Sequence, residues 1–474
     1  MQENSTSRIA ATSVKNSSYV WGIAMVAALG GLLFGYDWVV IGGARQFYEI
    51  YFHLSSSTLV GWANSCALVG CLIGSLAAGP LANSAGRSRI LFSSAILFAI
   101  SSIFTGHAHT FSNFIVWRII GGVAIGLSSN VSPLYIAEIS PASIRGRLVS
   151  LNQFAIVVGI LLAQIVNWTI ARPVISGVPT DVLFQSWNVQ EGWRWMFYAV
   201  AIPAIVFTLA SFFLPESPRW LLDRGRETEA RSILKNIGGE SHASAELASI
   251  QRSFARQAAT SIGWKIFLRP EILRVVFIGM ALAVLQQWTG INILFNYAAE
   301  VYRSAGYRAN DIFLNIVITG TINLVFTIVS MTLVDRIGRR RLMIYGAAGI
   351  GISHVLCALA YHEQWPAAAV LILTLCAIAC YALTLAPVTW VLIAEIFPQQ
   401  IRSQGVSAAV SALWVASFFL TYSFPSLNTH LGTAGTFLLY GAICLSGVLF
   451  VAKGVPETKG KTLEQIEDAI TVHF

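Results

Sequence analysis

Apolar residues run along this chain in blocks of about twenty, separated by short polar or basic turns. A helix needs about 20 such residues to cross the ~30 Å hydrocarbon core of a bilayer. Twelve blocks meet that need, at 19–41, 58–82, 90–106, 111–137, 148–170, 195–214, 273–300, 312–334, 342–361, 367–394, 406–424 and 433–451. The pattern predicts an all-α membrane protein with twelve transmembrane helices. Between the sixth and seventh blocks, 216–269 is charged and alanine-rich, which predicts short amphipathic helices on one membrane face, with a solvated linker as the alternative.

The turns carry a second pattern. Ala137-Glu138-Ile139-Ser140-Pro141-Ala142-Ser143-Ile144-Arg145 returns 257 residues later as Ala394-Glu395-Ile396-Phe397-Pro398-Gln399-Gln400-Ile401-Arg402. Leu81, Gly86 and Arg87 are echoed 252 residues later by Leu333, Gly338 and Arg339, and Pro215-Glu216 by Pro456-Glu457. A repeat this long means two equivalent halves rather than a solenoid. Alternating the turns between two sides puts 24 Lys and Arg on the side of the N-terminus and five on the other, with Arg118 inside a span. By the positive-inside rule the first side, with both termini, is cytoplasmic. Every echo falls at a cytoplasmic helix end, so both halves enter the membrane the same way and each holds an even number of spans. The expected division is a tail at 1–18, a six-helix bundle at 19–214, a cytoplasmic helical linker at 215–272, a second six-helix bundle at 273–453 and a tail at 454–474.

Composition agrees and excludes other classes. With 474 residues, 55% hydrophobic and only 11% charged, and a mean hydropathy of +0.67, the chain has too little charge to cover a soluble globule of its size. The net charge of +8 is scattered in short clusters between apolar runs, with no basic stripe, which argues against nucleic acid. The six cysteines all lie inside apolar runs and read as small packing residues, neither disulfides nor metal ligands. The polar N-terminus reads as a cytoplasmic tail, not a cleaved leader. Gly460-Lys461-Thr462 approaches a phosphate loop, but Val455 stands where that loop needs glycine. Without a hydrolase or zincin motif either, no enzyme activity, cofactor or metal is expected.

Polar residues inside the spans are the candidates for function. Asp37 in the first block and Arg118 in the fourth are each costly near mid-bilayer, by about 2.5–3.5 kcal/mol on insertion scales, and their depths allow them to meet. They read as a protonation switch, because Asp loses its charge on protonation and Arg does not, or as a static ion pair. Gln286, Gln287 and Asn292 bring amides into the seventh block, where Gly290 beside Thr289 permits local unwinding. Amides both give and take hydrogen bonds without adding charge, which suits a neutral ligand rich in hydroxyls, or glues helices together. Gln153 and Asn323 are further amides in the fifth and eighth blocks. Trp390 follows Pro387 in the tenth block and, taken alone, reads as packing against lipid or a neighbouring helix. Phe34, Tyr297 and Trp414 are lesser aromatic candidates. His354 reads as a bonded packing histidine. Glu138, Arg145, Glu216, Arg87, Asp335, Arg339, Glu395 and Arg402 sit at cytoplasmic helix ends, where charges of both signs from the two halves can meet, and as a set they are expected to latch that side while a central cavity faces outward.

Two six-span halves with a cytoplasmic linker and basic turns after the second and eighth spans resemble the major facilitator superfamily. Pro215-Glu216-Ser217-Pro218-Arg219-Trp220, Gln286-Gln287-Trp288-Thr289-Gly290-Ile291-Asn292 and Val455-Pro456-Glu457-Thr458-Lys459-Gly460 are similar to signatures of its sugar porter family, and the chain looks most like the bacterial proton-coupled symporters. The resemblance implies monosaccharide uptake across the cell membrane by alternating access, by a protein working as a monomer. It implies that Asp37 takes the proton and Arg118 tunes it, that Gln153, Gln286, Gln287, Asn292 and Asn323 contact sugar, and that Trp390 stacks on it. A facilitative uniporter and a non-transporting sugar sensor are the alternatives. The sequence departs from the family at Ile160, where some pentose symporters carry a second Gln, at Ala386, Leu413 and Ser417, and at Asn83, Ser84 and Ser88 after the second span. The first departure leans toward a hexose, and the last predicts a weaker N-terminal latch.

Overall fold

Helices form where the apolar blocks lie, and short polar residues close their ends. The computed structural model describes residues 16–173, 179–259, 269–398 and 401–459. The first six spans are Ser17–Tyr51, Ser57–Ala85, Arg87–Gly106, Phe111–Ile139, Arg145–Ile170 and Trp193–Ser211. Ser56 starts the second by accepting the Leu59 N–H at 3.2 Å, and Thr110 starts the fourth by accepting the Asn113 N–H at 3.3 Å. The sixth is entered through one π-helical turn, Asn188–Gly192.

The second half is more broken. Its seventh span comes in three pieces, Pro270–Trp288, Ile291–Asn296 and Ala298–Ser304, interrupted at Gly290, whose φ of 80° is left-handed. The eighth and ninth spans are Ala309–Ile337 and Arg339–His362, and the tenth is divided at Thr384 into Ala367–Leu383 and Leu385–Ile396. Arg402–Gly454 is 53 residues long and is two helices joined at Gly432, where φ is 69° and ψ 172°. Unbroken, it would extend about 80 Å, more than twice a bilayer core. Taken as one, it brings the described helices long and apolar enough to cross a membrane to 11. The break at Gly432 supplies a further crossing.

Helix pairing repeats between the halves. First packs on fifth, second on fourth and third on sixth; eighth packs on tenth, while seventh and ninth pack on the eleventh–twelfth hairpin. Small residues make the closest pairs. A Cβ at Gly35 would sit 1.9 Å from the Ile156 carbonyl oxygen, and one at Gly122 1.9 Å from that of Ala67. Backbones therefore meet where any side chain would hold them apart. On the outer surface large apolar side chains stay uncovered, Leu209 at 65% and Phe277 at 66% exposed, as lipid-facing positions require.

The segment between the halves folds as Pro218–Asp223, Glu227–Gly238 and Glu240–Ala259. Ser217 accepts the Trp220 N–H at 3.4 Å and Pro218 takes the first turn, where its missing N–H costs nothing. Glu227–Gly238 buries Ala230, Leu234 and Ile237 at helical spacing and leaves its charges outside, so it is an amphipathic helix and not a solvated linker.

Candidate functional site

At the basic end of the molecule the sequence echoes become two copies of one structure. In the first half, Arg87 holds Glu138 through Nε and Nη2, both at 3.0 Å, and Ser217 Oγ donates to the same carboxylate at 2.5 Å. Glu216 Oε1 accepts the backbone N–H groups of Arg87 and Ser217, both at 2.8 Å. In the second half, Arg339 reaches Glu395 at 3.4 Å, and Glu457 Oε1 accepts the N–H groups of Arg339, Thr458 and Lys459 at 3.0 Å. Arg145 Nε donates to the Ser140 carbonyl and Arg402 Nε to that of Phe397, each at 3.3 Å. Gly86 and Gly338 turn the chain with φ of 102° and 104°, and a Cβ there would meet the carboxylates of Glu216 at 2.2 Å and Glu457 at 2.8 Å. Ser88, expected to weaken the first set, joins it by donating its hydroxyl to Glu216 at 2.9 Å.

Among the described residues the charges of the two halves do not meet at this end; each set closes on its own half, and Arg145 reaches only Glu246 of the linker, at 3.9 Å. The Asp335 side chain lies outside the described ones. The halves meet instead at the far end. There Arg45 of the first span pairs with Glu49 at 2.5 Å and with Glu300 of the seventh at 2.7 Å, and lies 4.3 Å from the Tyr297 ring centroid. Arg303 donates to Gln46 at 2.5 Å, and a Cβ at Gly42 would stand 2.6 Å from the Phe295 carbonyl oxygen.

Between the two ends lie the polar residues of the spans. Asp37 and Arg118 are 3% exposed each, and Arg118 Nη1 donates to Asp37 Oδ1 at 2.9 Å. Among the described residues, Asp37 Oδ2 and Arg118 Nε have no hydrogen-bond partner. A thiol pair from the second span, Cys66 and Cys71, and the Phe197 ring of the sixth surround the charges. The pair is enclosed by protein, where an ionised group alone would be expensive.

Breaking the seventh span at Gly290 brings its amides together. Asn292 Nδ2 donates to Gln287 Oε1, Gln287 Nε2 donates to Gln286 Oε1 at 2.8 Å, and Gln286 Nε2 donates to Tyr381 Oη at 3.1 Å. An unbroken helix would set Gln287 and Asn292 about 140° apart. His354 serves the break: buried, it donates Nε2–H at 2.8 Å to the Thr289 carbonyl beside Gly290, which the Cys444 thiol also reaches at 3.8 Å. Phe34 and Trp38 of the first span and Trp414 of the eleventh form a triangle with ring centroids 5.7 to 5.9 Å apart, joining the halves. Trp414 Nε1 is buried and, among the described residues, has no hydrogen-bond partner.

The remaining candidates are dispersed. Asn323 is buried and Gln153 half-buried, and among the described residues neither bonds to the amide chain. Trp390 is 37% exposed. Tyr297 belongs with the far-end contact, donating its hydroxyl to the Thr421 carbonyl at 2.8 Å. Sequence reading missed Tyr381, a lone tyrosine in an apolar span, and Glu457, whose echo of Glu216 was the signal available.

A family model described as Sugar (and other) transporter matches residues 23–470. The D-xylose-proton symporter of Escherichia coli (strain K12) is 39% identical over 95% of this chain and 96% of its own length. The glucose transport protein of Synechocystis sp. (strain ATCC 27184 / PCC 6803 / Kazusa) is 36% identical over 96% of this chain and 98% of its own. Among solved structures, a partially occluded inward-open conformation of the xylose transporter XylE from E. coli superposes with a TM-score of 0.83 at 36% identity, covering 94% of this chain and all of that one. XylE bound to 6-bromo-6-deoxy-D-glucose gives 0.80 at 37% identity, covering 95% of this chain and 99% of that one. With the family model spanning nearly the whole chain and the paired halves superposing end to end, the protein belongs to the Sugar (and other) transporter family.

Proposed function

We propose that this protein carries a monosaccharide together with a proton into the cell by alternating access. The observation that carries the reading is the enclosed Asp37–Arg118 pair in the first half, set in the same molecule as the broken, amide-bearing seventh span of the second. Asp37 takes and releases the proton while Arg118 stabilises its anion. Gln286, Gln287 and Asn292 exchange their mutual hydrogen bonds for sugar hydroxyls, with Gln153 and Asn323 completing the ring of amides. Trp390 stacks on the sugar, and the unpaired Trp414 N–H offers it a further donor beside Phe34. Tyr297 closes the outer wall.

The basic end is cytoplasmic, with both termini, so the far end is extracellular and the molecule faces inward. The halves at 19–214 and 273–453 rock about the central residues as a monomer in the cell membrane, without cofactor, metal or chemical reaction. When the cytoplasmic ends approach, Glu138, Arg145, Glu216, Arg87, Asp335, Arg339, Glu395 and Arg402 form the latch. Arg402 Nη2 and Glu395 Oε2, buried and without hydrogen-bond partners among the described residues, are groups available for it. Ile160 makes an aliphatic wall with space for a hydroxymethyl group, which favours a hexose over a pentose.

Proteoliposomes loaded with and without a proton gradient test the reading on labelled D-glucose, D-galactose and D-xylose. Symport gives sugar above its equilibrium level only with the gradient. Equilibration that ignores the gradient indicates a uniporter, and binding without counterflow indicates a sensor.

A further inference from the structure

A small cavity adjoins the Asp37–Arg118 pair and nothing in the transport cycle above uses it. It is lined by Trp38, Asn64, Arg118 and Asn296 among apolar neighbours, and holds about 10 Å³ of water-accessible space. That is close to the least a single water requires, and a water also requires two to four polar partners. Three are present. Arg118 Nε carries an unpaired N–H, and Asn64 Oδ1 and Asn296 Oδ1 are unpaired acceptors, on side chains 3%, 4% and 4% exposed. Asn64 is held in place by its other end, donating Nδ2 to the Val60 carbonyl at 2.9 Å. One donor and two acceptors around one water volume is the set a water satisfies, accepting once and donating twice.

These residues come from different halves. Arg118 and Asn64 lie on the fourth and second spans, whereas Asn296 ends the middle piece of the broken seventh span. Asn296 also lines the larger cavity on the outer side, about 310 Å³, with Arg45, Glu49, Glu300 and Arg303. The first and seventh spans touch at this level, since a Cβ at Gly42 would be 3.3 Å from the Asn296 Cα.

We infer that one ordered water, held by Arg118 Nε, Asn64 Oδ1 and Asn296 Oδ1, ties the proton-carrying pair of the first half to the seventh span of the second when the outer side is closed. Asn64 and Asn296 are then positioning residues for coupling and do not touch the sugar. The inference rests on the proton-symport reading for its consequence, and on geometry alone for the site.

The consequence has a sign. While the water is held, Arg118 keeps a neutral partner whatever the state of Asp37. Without it, protonating Asp37 leaves the guanidinium poorly paired, so protonation needs more acid. The other titratable groups facing the pair are the Cys66 and Cys71 thiols, and Arg45, Glu49, Glu300 and Arg303 stand beyond Asn296.

Two measurements test this. A structure of the wild-type protein in this conformation, at a resolution that shows ordered waters, is expected to place one water within hydrogen-bond distance of all three atoms; a dry cavity overturns the inference. In proteoliposomes carrying labelled D-glucose or D-xylose, whichever the wild type moves faster, Asn296→Leu and Asn64→Leu should each shift the half-maximal pH of gradient-driven uptake about one unit toward acid. The double variant should shift it no further, because both side chains hold the same water, and Asn296→Ser should restore the profile. Unmoved profiles in folded variants that still perform counterflow overturn the coupling role. If wild-type uptake ignores the proton gradient, the symport reading and the coupling role fall together, while the presence of the water still decides the site.

Discussion

Replacing Asp37 by Asn removes the charge and keeps the shape, and it separates the two roles open to the Asp37–Arg118 pair. Both side chains are almost wholly enclosed, with the ion pair at 2.9 Å. Deleting one partner of such a pair costs about 3–5 kcal/mol. Asn retains an oxygen at the Oδ1 position to accept from Arg118 Nη1, and Arg118 Nη2 still reaches the Asp37 carbonyl at 3.5 Å. The expected loss is therefore smaller, about 1–3 kcal/mol, comparable with one hydrogen bond to a charged group. The transport effect is larger and of another kind. One proton per sugar driven by a 100 mV potential supplies about 2.3 kcal/mol, enough for roughly fiftyfold accumulation. The Asp37→Asn protein carries no proton, so its accumulation ratio should fall to about one while sugar-for-sugar counterflow persists. The assay compares gradient-driven uptake, counterflow and external alkalinisation in one proteoliposome preparation, with thermal unfolding measured alongside. A folded Asp37→Asn protein that still concentrates sugar would falsify the proton switch and leave the pair a structural lock.

Three further perturbations follow from the geometry. Gln287→Ala cuts the amide chain at its middle link, and should weaken sugar binding by about 1–3 kcal/mol in calorimetry with little change in thermal stability; unchanged affinity places the sugar elsewhere. Arg45→Ala removes the bonds to Glu49 and Glu300 and the stacking on Tyr297; at about 2 kcal/mol, the population open to the outside should rise roughly thirtyfold, read as a longer spin-label distance across that face. Gly86→Ala should destabilise the protein more than Gly338→Ala, because both strain a left-handed turn but the added methyl meets Glu216 at 2.2 Å and Glu457 only at 2.8 Å; equal melting temperatures count against the tighter packing of the first set.

The spans were legible because each is a run of apolar residues long enough to cross a bilayer, and lipid permits few alternatives to a helix there. The hairpin at Gly432 was legible for the same reason, because two separate apolar blocks, 406–424 and 433–451, flank it. The break in the seventh span was foreshadowed by Gly290, since glycine takes φ of 80° without strain. Its neighbour in space was not foreshadowed: nothing in the sequence ties His354 to the Thr289 carbonyl 65 residues away. Tyr381 was hidden likewise, because a hydroxyl in an apolar run shows no partner until the fold supplies Gln286. The charge sets at the basic end were visible as residues, but which carboxylate each arginine takes is decided by helix packing that no motif spells out.

The repeat explains why the two ends behave differently. What the halves share, Gly86 with Gly338, Arg87 with Arg339, Glu138 with Glu395 and Glu216 with Glu457, builds the same turn-holding network twice, so each half keeps its basic end rigid by itself. What they do not share lies in the spans. Adding the repeat offset of 252 to 257 residues to Asp37 gives positions 289 to 294, the broken segment with Asn292 and no ionisable group; adding it to Arg118 gives 370 to 375, apolar but for Thr374. On the proposed reading the first half therefore carries the proton and the second contributes most of the sugar's amides. Neither half can complete the task alone. A rigid-body movement that brings the seventh span against the first is then a sufficient physical link between the two cargoes, because Phe34 and Trp38 meet Trp414, and Gly42 meets Phe295, along that seam.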